Sequence, residues 1–109
     1  MNGKPRFGVN YLPEAEAFIL ELNEKTRRKV LYNITLASMT IDKELFKKID
    51  DDIWEFRTLY AGQFIRLFAF WDKQKKAVVV ATHGIFKKTK KTPKKEIERA
   101  KELMKSYLK

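Results

Sequence analysis

The chain has 109 residues, no cysteine, one histidine and a formal net charge of +10. The missing cysteines exclude disulfides, a thiolate metal site and a cysteine nucleophile, and with one histidine a zinc site would need carboxylates almost alone. A hydrophobic fraction of 44% with 13% aromatics supports one core and is too apolar for disorder, so residues 1–109 are expected to form a single domain.

Arg6 to Tyr11 predicts a first strand, from its Phe, Val and Tyr. Pro13 suits the first position of a helix, with Glu14 and Glu16 at the positive end of its dipole. Ala15, Phe18, Ile19 and Leu22 fall on one helical face. A second helix is expected after Asn23, with Val30, Leu31, Ile34 and Ala37 or Ser38 inward, so that the two form a hairpin. Between Met39 and Asp52 the pattern is mixed. Leu45, Phe46 and Ile49 suit either one helical turn or a packed loop, and Asp50 to Asp52 suits a turn.

Ile53 to Tyr60 then predicts a strand, broken at Ala61-Gly62 by a hairpin. Phe64 to Trp71 is apolar on both faces except for Arg66, which marks a central strand. A polar turn over Asp72 to Lys76 leads to a third strand, Ala77 to Phe86. The last element is a helix with Thr92 as N-cap, Pro93 at its first position and an apolar stripe of Ile97, Ala100, Met104 and Tyr107. The order β-α-α-β-β-β-α predicts an α+β fold, with helices on one face of a largely antiparallel four-stranded sheet.

The charge is lopsided. Residues 1–52 carry 9 Lys+Arg and 9 Asp+Glu, whereas residues 53–109 carry 15 and 5. Lys87, Lys88, Lys90, Lys91, Lys94 and Lys95 crowd one short segment. Such a field favours a polyanion, nucleic acid above all, although a solvated face that keeps the protein soluble gives the same run. A membrane surface fits less well, since only Phe86 lies beside the lysines as an apolar anchor. With no long apolar run, and no apolar stretch in Met1–Arg6, neither a membrane span nor a secretion signal is expected, and the protein is placed in the cytoplasm.

Strand alternation sorts the side chains. Trp54, Phe56 and Tyr60 share a core-like face. Ile53, Glu55, Arg57 and Leu59 share the other. Arg66, in a central strand, needs an anion, and Glu55 on the neighbouring strand or a ligand phosphate would serve. His83 has an unperturbed pKa of about 6.5 that suits proton transfer, though a lone histidine is more often structural. Asp50 to Asp52 lacks companion ligands for a metal.

The segments Ile53-Trp54-Glu55-Phe56-Arg57, Phe64-Ile65-Arg66, Thr82-His83-Gly84-Ile85-Phe86-Lys87-Lys88-Thr89-Lys90-Lys91-Thr92-Pro93 and Glu96-Ile97-Glu98-Arg99-Ala100 together resemble the RelE/ParE toxin superfamily. They look most like its phage-derived HigB-like branch, with its W-E-L-R, H-G-F-x-K-K-T and T-P blocks. Two positions depart from that pattern. Phe64-Ile65 stands where some members have Tyr before the strand arginine, and Ile85 stands where the branch often has Phe.

The resemblance implies a toxin of a type II toxin–antitoxin system, held inactive by a helix-turn-helix antitoxin. It would cut mRNA on the ribosome without metal or other cofactor. Such cleavage needs a base for the 2′-hydroxyl, cations for the phosphate and an acid for the leaving oxygen. Glu55 or His83 are the candidates for proton transfer, and Arg57, Arg66 and Lys87 for the phosphate. Phe86, or another exposed aromatic, is the candidate for stacking on a base, while Lys88, Lys90, Lys91, Lys94 and Lys95 would hold RNA. A ParE-like inhibitor of DNA gyrase and a non-catalytic basic RNA-binding module are the alternatives.

Overall fold

Residues 3–109 are described by the computed structural model. Met1 and Asn2, the start of the segment read for a secretion signal, lie outside them. The elements run β1 (Gly8–Tyr11), α1 (Pro13–Glu21), α2 (Glu24–Met39), β2 (Phe46–Lys48), β3 (Trp54–Tyr60), β4 (Gln63–Trp71), β5 (Val78–Lys87) and α3 (Lys94–Leu108). The strands form one mixed sheet in the order β1-β5-β4-β3-β2. This is an α+β fold, with five strands rather than four.

The additional strand, β2, comes from the stretch whose pattern was mixed. Phe46 is buried, its ring stacking on Phe56 at 4.4 Å and Trp54 at 4.8 Å. Packing on these aromatics outweighs the weak local preference and aligns the segment antiparallel to β3. β1 runs parallel to β5. The remaining pairs are antiparallel, and β3 turns into β4 through Ala61 (φ +51°) and Gly62 (φ +75°). Two successive left-handed residues make the tight hairpin that suits the twist of its strands.

The helices cover both faces, not one. Ala15, Ile19, Val30, Ile34 and Ala37 of α1 and α2 pack with Phe56, Ile65, Leu67, Val79 and Ala81. Ala100 of α3, with Ile97, Met104 and Tyr107 beside it, packs with Ile53, Phe68, Phe70 and Val80. β4 carries apolar side chains on both sides, so each side needs a cover.

Arginines lock the first layer. Arg27 donates to the carbonyls of Ile19, Leu20 and Leu22 at the end of α1, and Arg6 to those of Ala37 and Thr40 at the end of α2. These satisfy carbonyls that a helix end leaves without partners. Asn23 caps α2 by accepting from the Thr26 backbone. Leu31, expected inward, is instead partly exposed. At the start of α3 the N-cap is Pro93, without a side-chain cap, and Thr92 turns its hydroxyl elsewhere.

Candidate functional site

Three strands bring the site together. Across β3, β4 and β5 the register aligns Leu59 with Phe64 and Lys87, Arg57 with Arg66 and Ile85, and Glu55 with Phe68. Alternation places all of these on the face that α3 partly covers. Beyond the start of α3 that face is open.

Glu55 is almost fully buried, and its Oε2 lies 3.5 Å from both Arg57 Nε and Arg66 Nε. Its Oε1 accepts a hydrogen bond from the Thr92 hydroxyl at 3.2 Å. Both Nε atoms are buried without a hydrogen-bond partner, so each arginine is held by charge more than by a well-formed bond. Arg66 Nη1 donates to the Ile65 carbonyl and Arg57 Nη1 to that of Lys43. Lys87 is buried at the end of β5. Three cations thus surround the buried Glu55 carboxylate, with the exposed Glu44 beside Arg57 and Arg66 as a second acid, and the group keeps a net positive charge.

That excess is felt by its members. Burial lowers the pKa of Lys87, with Glu55 opposing and Arg66, Arg57 and Lys47 lowering it further. Burial likewise lowers Arg66, against the attraction of Glu55 and Glu44 and with the repulsion of Arg57. Two adjoining cavities open over the group. One, of about 420 Å³, is lined by Arg57, Phe64, Arg66, Lys87, Lys88 and Lys90. The other, of about 370 Å³, reaches over Glu55 and Arg57 to Lys47, Lys91 and Thr92. Sharing Arg57, Lys87 and Lys90, they form a single basic trough. A larger cavity of about 500 Å³, between Trp54, Trp71, Met104 and Asp52, contains none of this chemistry.

The other residues singled out from sequence divide. Lys88, Lys90 and Lys91 line the trough. Lys94 and Lys95 are exposed on the first turn of α3 outside it, adding to the positive end of that helix. His83 does not reach the trough. It is 1% exposed, stacks on Phe68 and engages Thr82 and Glu96 through its two nitrogens, at 3.0 Å each. Burial holds its pKa below the ordinary value despite the Glu96 bond. Phe86 is on the opposite face, its ring centroid 5.5 Å from that of Phe18 in α1. The reason is the two-residue period of β5, which sends Ile85 and Lys87 to one side and Gly84 and Phe86 to the other.

Three residues escaped the sequence reading. Phe64 borders the trough, half exposed, with the Arg66 guanidinium 5.8 Å from its ring centroid. Lys47 enters through β2. Thr92 reaches Glu55 instead of capping α3. An aromatic at the start of the arginine strand was the available signal for Phe64; the other two depended on packing.

A family model described as "Phage derived protein Gp49-like (DUF891)" matches residues 17–105. The chain belongs to this Gp49-like family. The family is RelE/toxin-like and phage-derived, so membership implies an antitoxin partner. The match runs from the middle of α1 through most of α3 and takes in the whole trough. No curated protein matches the chain. No helix among the described residues is long and apolar enough to cross a membrane. The described residues also contain no group of three or more His, Asp or Glu side chains placed to share a metal ion.

Proposed function

We propose that this Gp49-like protein is a HigB-like toxin of a type II toxin–antitoxin system, acting in the cytoplasm as a ribosome-dependent, metal-free mRNA endoribonuclease. The observation that carries the reading is the excess of positive charge in the trough. Arg57, Arg66 and Lys87 crowd one carboxylate, and a buried surplus of cations is costly until an anion joins it. A phosphodiester supplies that anion, and two guanidiniums suit its oxygens.

The chemistry follows from which groups are present. Glu55 takes the proton of the 2′-hydroxyl as that oxygen attacks phosphorus. Arg57 and Arg66 stabilise the charge that builds on the phosphoryl oxygens. The bond from phosphorus to the 5′-oxygen breaks, and Lys87, made more acidic by burial, protonates the leaving oxygen. The products are a 2′,3′-cyclic phosphate and a 5′-hydroxyl, and the proton on Glu55 returns to Lys87 through water. His83, shielded beneath α3, takes no part in proton transfer.

Leu59 and Phe64 form an exposed apolar row next to the arginine row. Rows on one face of a strand are about 7 Å apart, the reach from a phosphate to its base. Phe64 therefore takes the stacking role first given to Phe86. The lysines along the trough hold ribosomal RNA largely without regard to sequence. An antitoxin inhibits by occupying or masking this surface.

Induction in bacteria, with mapping of mRNA ends, tests the reading. Growth arrest with cuts at fixed codon positions is expected, together with loss of both in a folded Arg66→Ala variant. Arrest with intact mRNA and a DNA-damage response would support the gyrase alternative. Ribosome binding without cuts would support a non-catalytic binder.

A further inference from the structure

The buried histidine stands one step away from the carboxylate. His83 Nε2 meets Glu96 Oε1 at 3.0 Å, and Glu96 sits in the first turn of α3 with its backbone N–H on the Pro93 carbonyl. Immediately before Pro93, Thr92 makes the one side-chain hydrogen bond to the Glu55 carboxylate among the described residues. From the sheet side, the His83 ring stacks on Phe68, the cross-strand neighbour of Glu55, at 4.8 Å. The start of α3 is thus pinned by one polar contact on one side of Pro93 and reports to Glu55 by another on the other side.

Apart from Ile97, which packs beside the Ile53 and Phe68 cluster, the side-chain ties of this helix entrance to the sheet among the described residues are these two polar contacts. Pro93 offers no side-chain cap, and Ala100 is the sole fully buried residue of α3. The ties at Lys101–Asp50 (3.1 Å) and Tyr107–Asp72 (2.9 Å) lie further along the helix. If the His83–Glu96 contact is removed, Thr92 is no longer held over the trough. Glu55 then loses its hydrogen bond and is free to turn its second oxygen toward the arginines, away from an incoming hydroxyl.

We propose that His83 and Glu96 are positioning residues: their buried contact keeps the Thr92 hydroxyl on Glu55, and that hydroxyl fixes the orientation of the carboxylate. The proposal rests on the reading of Glu55 as the base given above. It accounts for a histidine that the chemistry itself does not use.

The test combines single-turnover cleavage on mRNA-programmed ribosomes with ¹³C NMR of the Glu55 side-chain carboxyl, assigned by its disappearance in Glu55→Gln. Thr92→Val is expected to slow the cleavage step about tenfold, the loss of one hydrogen bond of about 1.4 kcal/mol, with ribosome affinity unchanged. Thr92→Ser restores the rate. Glu96→Ala shifts the Glu55 resonance in the direction that Thr92→Val shifts it, whereas Glu96→Gln, whose amide oxygen still accepts from His83 Nε2–H, leaves it in place. The double variant Glu96→Ala/Thr92→Val is no slower than the slower single, since both break one chain of contacts. A wild-type rate in Thr92→Val, an unmoved Glu55 resonance in Glu96→Ala, or additive losses would overturn the positioning role alone. A wild-type protein that leaves ribosome-bound mRNA uncut would instead overturn the nuclease reading.

Discussion

Replacing Arg66 by methionine separates a structural arginine from one kept for an anion. Its attraction to Glu55 at 3.5 Å amounts to about 5 kcal/mol at an effective dielectric of about 20. Arg57 Nε lies the same distance from the same oxygen, so the two guanidiniums are no more than twice that far apart. Their repulsion is then at least about 2 kcal/mol, before Lys87 is counted. Desolvating a guanidinium costs several kcal/mol more, while the bond to the Ile65 carbonyl contributes about 1 kcal/mol. These terms nearly cancel.

Arg66→Met is therefore expected to unfold in urea within about 1 kcal/mol of wild type, or above it, because Arg57 still meets the Glu55 charge and an apolar side chain of similar length escapes the desolvation cost. Glu55→Gln leaves the cations without their counter-charge and is expected to lose about 3–5 kcal/mol. Inorganic phosphate should raise the urea midpoint of wild type and raise that of Arg66→Met by clearly less. An Arg66→Met protein destabilised by more than about 3 kcal/mol, in the range for a broken buried pair, would refute the reasoning. Arg66 would then be explained by Glu55 alone.

Phe64→Ala should slow cleavage on the ribosome about 5- to 150-fold, the range of one lost base stack, whereas Phe86→Ala should lower the melting temperature with cleavage retained. Gly84→Ala should cost about 1–3 kcal/mol in urea unfolding, because a Cβ there falls within the Phe18 ring; the loss should shrink in a Phe18→Ala background. Ala61→Gly relieves a left-handed alanine and should raise stability by about 1 kcal/mol, read as a higher urea midpoint. Burial depresses the pKa of His83 in the folded state, so the unfolded chain takes up that proton first. The histidine's contribution to stability is then complete above about pH 6.5 and declines as pH falls toward the folded value. His83→Gln should flatten the fall in unfolding free energy over that window, and equal slopes would show that the histidine titrates freely.

The contrast between Arg66 and His83 shows where reading from sequence succeeds. An arginine in a strand apolar on both faces has to find an anion wherever that strand lies, and the two-residue period already put Glu55 and Arg57 together on β3. His83 is kept from the trough by the position of α3, which its own segment does not contain. Phe86 is separated from Lys87 by the two-residue period of β5 itself, and only the identity of the face that α1 covers had to come from packing. The His-Gly pair itself acquires two structural purposes, since His83 faces α3 and Gly84 leaves room for the Phe18 ring of α1.

By itself the chain determined what depends on neighbours in sequence: the helical hairpin, three long strands, the final helix, and the concentration of positive charge after residue 52. Only the tertiary structure decided what depends on distant partners. The parallel pairing of β1 with β5, the recruitment of β2 through Phe46, the division of the helices between two faces and the contact of Thr92 with Glu55 are all of this kind. Periodicity fixes the face a side chain takes within its own strand, whereas burial and register between strands are set by packing across the whole sheet, to which no short stretch of sequence has access.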